Sequence, residues 1–198
     1  MSTSARGFVE WICRGYSKKS SALFDLLDNS DDATTKASEL PSSKWIHCKD
    51  RVGSNPTPAL VITNGCDGPR PISHCLEFAC SDKKDTDQIG ENGVGLKQSI
   101  IYLSSSGLVV SRNGPVFGVA LVSKALNLSD KHEGGSPTFP RLEFTLPGHA
   151  PSLSEIQSAL DSADMGLYPL SRWSPFLCGL DVAEVIFDAV KDTNEQVE

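Results

Sequence analysis

The 198-residue chain has no apolar run long enough to cross a bilayer. Its first residues, MSTSARGFVEWICRGYSKKSS, also lack the continuous apolar stretch of a secretory leader. Positive charge is scarce: 18 Lys and Arg face 25 Asp and Glu, a net charge of −7. That balance argues against a dedicated nucleic-acid groove, although it leaves room for a local basic patch or a site that takes an anion through a metal. None of the six cysteines (Cys13, Cys48, Cys66, Cys75, Cys80, Cys178) belongs to a CxxC pair. The neighbours His47-Cys48 and His74-Cys75 therefore do not make a zinc knuckle. The expectation is reduced, mostly buried thiols in an intracellular chain, cytoplasmic or nuclear. Regular βαβ alternation is missing, as are internal repeats. GENGVG, the one glycine-rich run, fits neither GxGxxG nor the P-loop pattern.

What is present fits one globular domain spanning 1–198, with 39% hydrophobic and 22% charged residues and enough length for a sizeable core. Phe8, Ile12 and Tyr16, then Leu23, Leu26 and Leu27, recur at helical spacing, which predicts helices over 6–16 and 20–37 with a break at SKKSS. KWIHCKD (44–50) and PALVITN (58–64) read as strands joined by a hairpin loop. PISHCLEFAC (71–80) suggests a short helix capped by Ser73, and residues 93–105 a helix opened by glycines. Residues 107–123 carry a hairpin signal with Asn113-Gly114 at the turn. A strand at 141–147 and amphipathic helices at 152–163 and 180–190 follow, with a frayed polar tail after them. The fold class expected is α+β: a two-layer α/β sandwich whose mixed, mostly antiparallel sheet is covered on one face by helices.

Three stretches carry chemistry. In LFDLLDNSDDA (23–33), Asp25, Asn29 and Asp32 fall at i, i+4 and i+7, so on a helix they share one face, with the leucines turned toward a core. Hard oxygens in that pattern suit Mg²⁺, which keeps one or two protein ligands and completes its shell with substrate phosphates. A carboxylate beside it can take a proton from water. In VITNGCDGP (61–69) a strand ends in Asn64-Gly65 and then Gly68, where the backbone can approach a ligand closely. In IGENGVGLKQS (89–99), Gly90, Gly93 and Gly95 precede a helix that carries Lys97 in its first turn. Exposed amides and a cation at a helix N-terminus suit phosphate.

The order of these stretches resembles the GHKL ATPases, which include gyrase B subunits, MutL proteins, the ninety-kilodalton heat-shock chaperones, histidine kinases and MORC proteins. The likeness covers about residues 15–125 and is closest in motif style to MORC-like members. It implies a Bergerat-type ATP-binding fold, a switch driven by slow ATP hydrolysis, and ATP and Mg²⁺ as cofactors. FDLLDNSDDA matches the first family motif, which carries the general base to Asp25, the Mg²⁺ ligand to Asn29 and pocket lining to Asp32 and Ala33. IGENGVGLKQS matches the phosphate motif, which carries nucleotide contacts to Gly90, Asn92, Gly93, Val94, Gly95, Leu96 and Lys97. The polar stretch 81–92 would be a lid over the nucleotide. The second motif places Thr63, Asn64, Gly65 and Gly68 beside adenine. The family's switch role implies a protein partner or a homodimer.

Three departures accompany this likeness. The family's DxGxG aspartate, which holds the adenine amino group, has no carboxylate counterpart here: Thr63 or Asn64 takes its place, depending on the alignment, with Asp67 close by. Asp25 is one methylene shorter than the usual glutamate, and a base must come within about 3 Å of its proton or act through water. The Gly-Thr before the late strand is reduced to Thr138. These features support an alternative expectation, a degenerate domain without turnover that serves as an interaction or nucleotide-sensing module.

Overall fold

A computed structural model of the chain describes residues 4–36, 44–54, 56, 58–64, 68, 71–76, 94–129, 135–146, 151–163 and 169–195. Helix α1 (Ala5–Cys13) opens with Ser4 as its N-cap, the Ser4 hydroxyl accepting from the Gly7 amide at 3.1 Å. It buries Ala5, Phe8, Val9 and Ile12, which form one face at i, i+3, i+4 and i+7. The break expected at SKKSS is present. Residues 14–18 link α1 to α2 (Lys19–Lys36), and Tyr16 therefore lies in the linker rather than on a helix.

Strands β1 (Lys44–Lys49) and β2 (Ala59–Asn64) pair antiparallel, from Lys44 opposite Asn64 to Lys49 opposite Ala59. Their connecting loop is held by the end of the chain. Gly53, with φ +58°, donates its amide to Asp188 Oδ2 at 2.9 Å. The Ser54 amide and hydroxyl both donate to Glu184 Oε2, at 2.7 and 2.8 Å. These bonds, the backbone N–H first, pull the Glu184 carboxyl below its usual range. Of the helix expected over 71–80, the described part is a 3₁₀ turn at Ile72–Cys75. Its N-cap is Pro71, and no side chain caps it, so Ser73 does not have the capping role expected of it.

Helix α3 (Gly95–Leu103) leads into β3 (Ser106–Asn113) and β4 (Val116–Ser123), which form the hairpin expected from the sequence. The turn sits one residue later than the Asn-Gly signal placed it. Asn113 pairs with Val116, and the two loop residues are Gly114, at φ +57°, and Pro115. Glycine at the first loop position supplies the positive φ that primed hairpin turns demand, and proline fixes a negative φ at the second. A short helix, α4 (Lys124–Leu128), follows, and β5 (Arg141–Thr145) pairs antiparallel with β4. Helices α5 (Leu153–Ala163) and α6 (Val182–Glu195) close the chain. α6 runs through much of the tail expected to fray, since no Gly or Pro interrupts it before Glu195.

The expected α+β class holds, and every strand pair among the described residues is antiparallel, but the described strands form two sheets, β1-β2 and β3-β4-β5, and helices cover both faces of the second rather than one. β4 shows how it is built. Its successive side chains point to opposite faces, and both faces are buried. Ala120 and Val122 join Phe8, Val9, Ile12, Ile72, Leu76, Ile101 and Phe139 under α1 and α3. Phe117, Val119 and Leu121 join Leu142 and Phe144 against Ile156, Leu160, Trp173, Ile186 and Val190, so the C-terminal helices back the second face. The thiols differ from expectation. Among the described residues, Cys13 and Cys75 are half-buried and Cys48 and Cys178 are exposed, and none of the four is in a disulfide. No described helix is long and apolar enough to cross a membrane.

Candidate functional site

Helix α2 packs on α3 and β2. Its leucines at 23, 26 and 27 are half-buried rather than central, and Phe24 is 61% exposed, because this pairing lies outside both sheet cores. The polar face meets α3. Asn29 Nδ2 donates to the Asp25 carbonyl one turn earlier at 2.7 Å, which leaves Oδ1 as the amide atom the side chain can present to a ligand. A Cβ on Gly95 would stand 3.8 Å from Asp25 Oδ2 and 3.9 Å from Asn29 Nδ2. Glycine at the first residue of α3 therefore leaves a methyl-sized gap between the two helices. Val94, the N-cap of α3, offers no side-chain cap to that end. The Ser30 hydroxyl, buried beside Asn29 in sequence, has no hydrogen-bond partner among the described residues.

Tyr16 completes the cluster. Its hydroxyl donates to Asp25 Oδ2 and lies 2.9 Å from the hydroxyl of the fully buried Ser99. A phenol has one proton, and this one goes to the carboxylate, so Ser99 must donate to Tyr16. The hydroxyls thus run in one direction, Ser99 to Tyr16 to Asp25. Burial first, and the bond to Asp25 second, push the Tyr16 phenol up to about 12. Neither Tyr16 nor Ser99 stood out in the sequence. Tyr16 fell in with the apolar repeat of Phe8 and Ile12, and the only available signal was an amphipathic ring just ahead of an acidic helix.

Lys97 lies elsewhere. Two residues past Gly95, it points about 200° around the helix from it. Its side chain is fully buried, and its ammonium donates to the Cys75 carbonyl at 3.2 Å. Burial pulls the amine down to about 8, and burial likewise pushes the Cys75 thiol up to about 11 against the opposing Lys97 charge. In this conformation the lysine faces the interior with Ile101, not the side of α3 that meets α2.

On β2, Thr63 pairs with Trp45 and Asn64 with Lys44, and both are half-buried. Gly68 runs against the edge of β3. Its amide donates to the Arg112 carbonyl at 2.7 Å, Asn113 Nδ2 donates to its carbonyl at 3.1 Å, and a Cβ there would lie 2.4 Å from Ser111 Oγ. The close approach that requires glycine at 68 is therefore made to a neighbouring strand. Thr138 is tied to Asn127: its amide donates to Asn127 Oδ1 at 2.8 Å, and Asn127 Nδ2 returns a bond to its carbonyl at 3.0 Å. Val94 and Leu96 are half-buried around Gly95. Gly65, Asp67, Gly90, Asn92, Gly93 and the 81–92 stretch lie outside the described residues, as do the side chains of Asp32 and Ala33.

Among the described residues no cluster of three His, Cys, Asp or Glu side chains could hold a metal. The donors at α2 are of another kind. Of the two atoms nearest Gly95, Asn29 Nδ2 is a donor and Asp25 Oδ2 is bound to Tyr16, so a hard cation here would be held by Asn29 Oδ1 and would take most of its shell from elsewhere.

No family model matches the chain. It is similar to Protein MICRORCHIDIA 1 of Arabidopsis thaliana, 28% identical over 160 residues. That stretch is 78% of this chain and 24% of the plant protein, so the chain spans about a quarter of that relative's length.

Proposed function

We propose that the chain is a GHKL-type domain that binds Mg-ATP and hydrolyses it slowly, as a conformational switch. One observation carries this reading. Asp25 and Asn29 on α2 meet Gly95 at the start of α3, so two motifs far apart in sequence share one gap. The similarity to a microrchidia protein, a family within the GHKL superfamily, supports the same reading. Asn29 would hold Mg²⁺ through Oδ1, and Mg²⁺ supplies charge that screens the phosphate oxygens. Asp25 takes the proton of the attacking water. The amides of Gly90, Asn92, Gly93, Val94, Gly95 and Leu96 receive the phosphates, and Asp32, Ala33, Thr63, Asn64 and Gly65 surround the base. In this reading the nucleotide state sets contacts with a protein partner or a second copy of the chain.

Calorimetry with Mg-ATP followed by phosphate release tests the reading. Asn29→Ala abolishes binding. Asp25→Ala binds as the parent does and stops turnover. Hydrolysis by Asp25→Ala at the parent rate would remove Asp25 from its role.

A second reading is favoured by Lys97. A domain whose phosphate lysine is spent on a buried carbonyl, and whose β2 end carries no carboxylate at 63 or 64, suits an interaction module without turnover. Absence of binding at millimolar Mg-ATP selects this alternative.

A further inference from the structure

We propose that Tyr16 is a positioning residue for the Asp25 carboxylate, holding Oδ2 at the gap beside Gly95 so that the carboxylate is fixed toward the reacting water. The inference rests on the reading of Asp25 as the general base. Aspartate has a short reach, and an exposed aspartate on a helix samples several rotamers. Here Oδ2, the oxygen nearest Gly95, accepts from the Tyr16 hydroxyl, and that bond holds the carboxylate at the gap while its remaining lone pairs stay open to a proton.

The brace is anchored independently of α2. The Tyr16 hydroxyl is also bound to Ser99, and its ring packs on Tyr102 at 5.3 Å between centroids, so both of these contacts come from α3. The backbone beside it is fixed too. Gly15 donates its amide to the Ile12 carbonyl at 3.0 Å, and Gln98 Nε2 donates to the same carbonyl at 3.3 Å. A Cβ on Gly15 would fall 1.5 Å from Gln98 Nε2, so a side chain at 15 would displace the Gln98 amide from this position. The phenol therefore ties the end of α1, the acidic face of α2 and the helix that begins at Gly95 into one unit. A donor held from three sides fixes a carboxylate at little entropic cost, and a misplacement of about 1 Å at a reacting group can cost on the order of a hundredfold in rate.

The test compares the parent with Tyr16→Phe, Ser99→Ala and the double variant. Tyr16→Phe keeps the ring and loses the donor. It binds Mg-ATP with Kd and KM within about twofold of the parent while kcat falls about ten- to a hundredfold. Ser99→Ala lowers kcat less, and the double variant is no slower than Tyr16→Phe alone, because Ser99 acts through the phenol. An unchanged kcat in Tyr16→Phe overturns the proposal. So does a parallel loss of binding, which marks a merely structural contact, or a multiplicative cost in the double variant. Should Tyr16→Phe fail to fold, Ser99→Ala decides alone: a lower kcat at constant KM supports the brace, and an unaltered kcat sinks it.

The pair itself is read without activity, by phenolate absorbance. Asp25→Asn brings the most alkaline tyrosine step down from about 12, and an unmoved step shows that no such pair exists in solution. A parent that releases no phosphate ends both the proposed function and the positioning role. The absorbance then still tells whether the contact was real.

Discussion

The two halves of the molecule bury their helices differently. Behind β4 and β5, α5 and α6 bury Ile156, Leu160, Ile186 and Val190 around Trp173, which is fully enclosed. In front of β2, α2 has only half-buried leucines and an exposed Phe24, and the Tyr16 hydroxyl links its Asp25 to Ser99 of α3. The first half is filled by shape and area alone, which is where stability comes from. The second keeps an acid, an amide, a phenol and a methyl-sized gap together at the expense of apolar packing. A region that has to admit and release a ligand cannot be packed to completion, and the sparse packing of α2 is what the proposed nucleotide site would require.

The contrast is sharpest in mutational cost. Trp173→Ala should lower unfolding free energy by about 3–5 kcal/mol, read from urea midpoints. Phe24→Ala, on the sparsely packed helix, should stay within about 0.5 kcal/mol. Equal losses at the two positions would erase the distinction between the halves.

Lys97 comes next, because it is a charged residue placed on the packed side. Its amine titrates near 8 in the folded chain, against 10.5 for an unperturbed lysine. The unfolded chain therefore binds more protons between those values, the burial penalty is complete below about 8, and stability climbs as pH rises through the window. Lys97→Met should flatten that climb, as followed by thermal melts at pH 7 and 10. The same variant also bears on the two functional readings. A lower Mg-ATP affinity would mean that the lysine leaves its pocket to meet phosphate.

The smallest effect lies at the β1–β2 loop. Glu184 has its folded value pulled down, so its contribution is present above the ordinary carboxylate range and is lost as pH falls through the lowered value. Ser54→Ala removes the hydroxyl bond and should move the Glu184 carboxyl resonance titration upward in carbon NMR. It should barely alter the melting temperature at pH 7.

Much of this was legible in the sequence because it depends on periodicity. The 3.6-residue repeat of Phe8 and Ile12, the alternation along 107–123 and the glycines before α3 each have one local solution. What the sequence concealed depends on which side of an element meets which neighbour. Ser99 and Lys97 sit two residues apart in one helix, yet one supports the acidic cluster and the other disappears into the core. Only the packing of α3 between α2 and the sheet separates them. The hairpin turn shifted by one residue for a local reason, since Pro115 after Gly114 satisfies a primed turn that leaves Asn113 free to pair in the ladder and to bond Gly68. The sequence around the 3₁₀ turn at Ile72–Cys75 suggests a capped helix, because a serine in the right place looks like a cap until its backbone is seen inside the turn.

The clasp of Gly53 and Ser54 by Asp188 and Glu184 joins points separated by 135 and 130 positions. Closing so wide a ring is slow, because distant contacts must overcome loop entropy before they are rewarded. As the polypeptide leaves the ribosome, β1 and β2 are made long before their anchors exist. The β1–β2 hairpin therefore reaches its final state only after α6 has been synthesised.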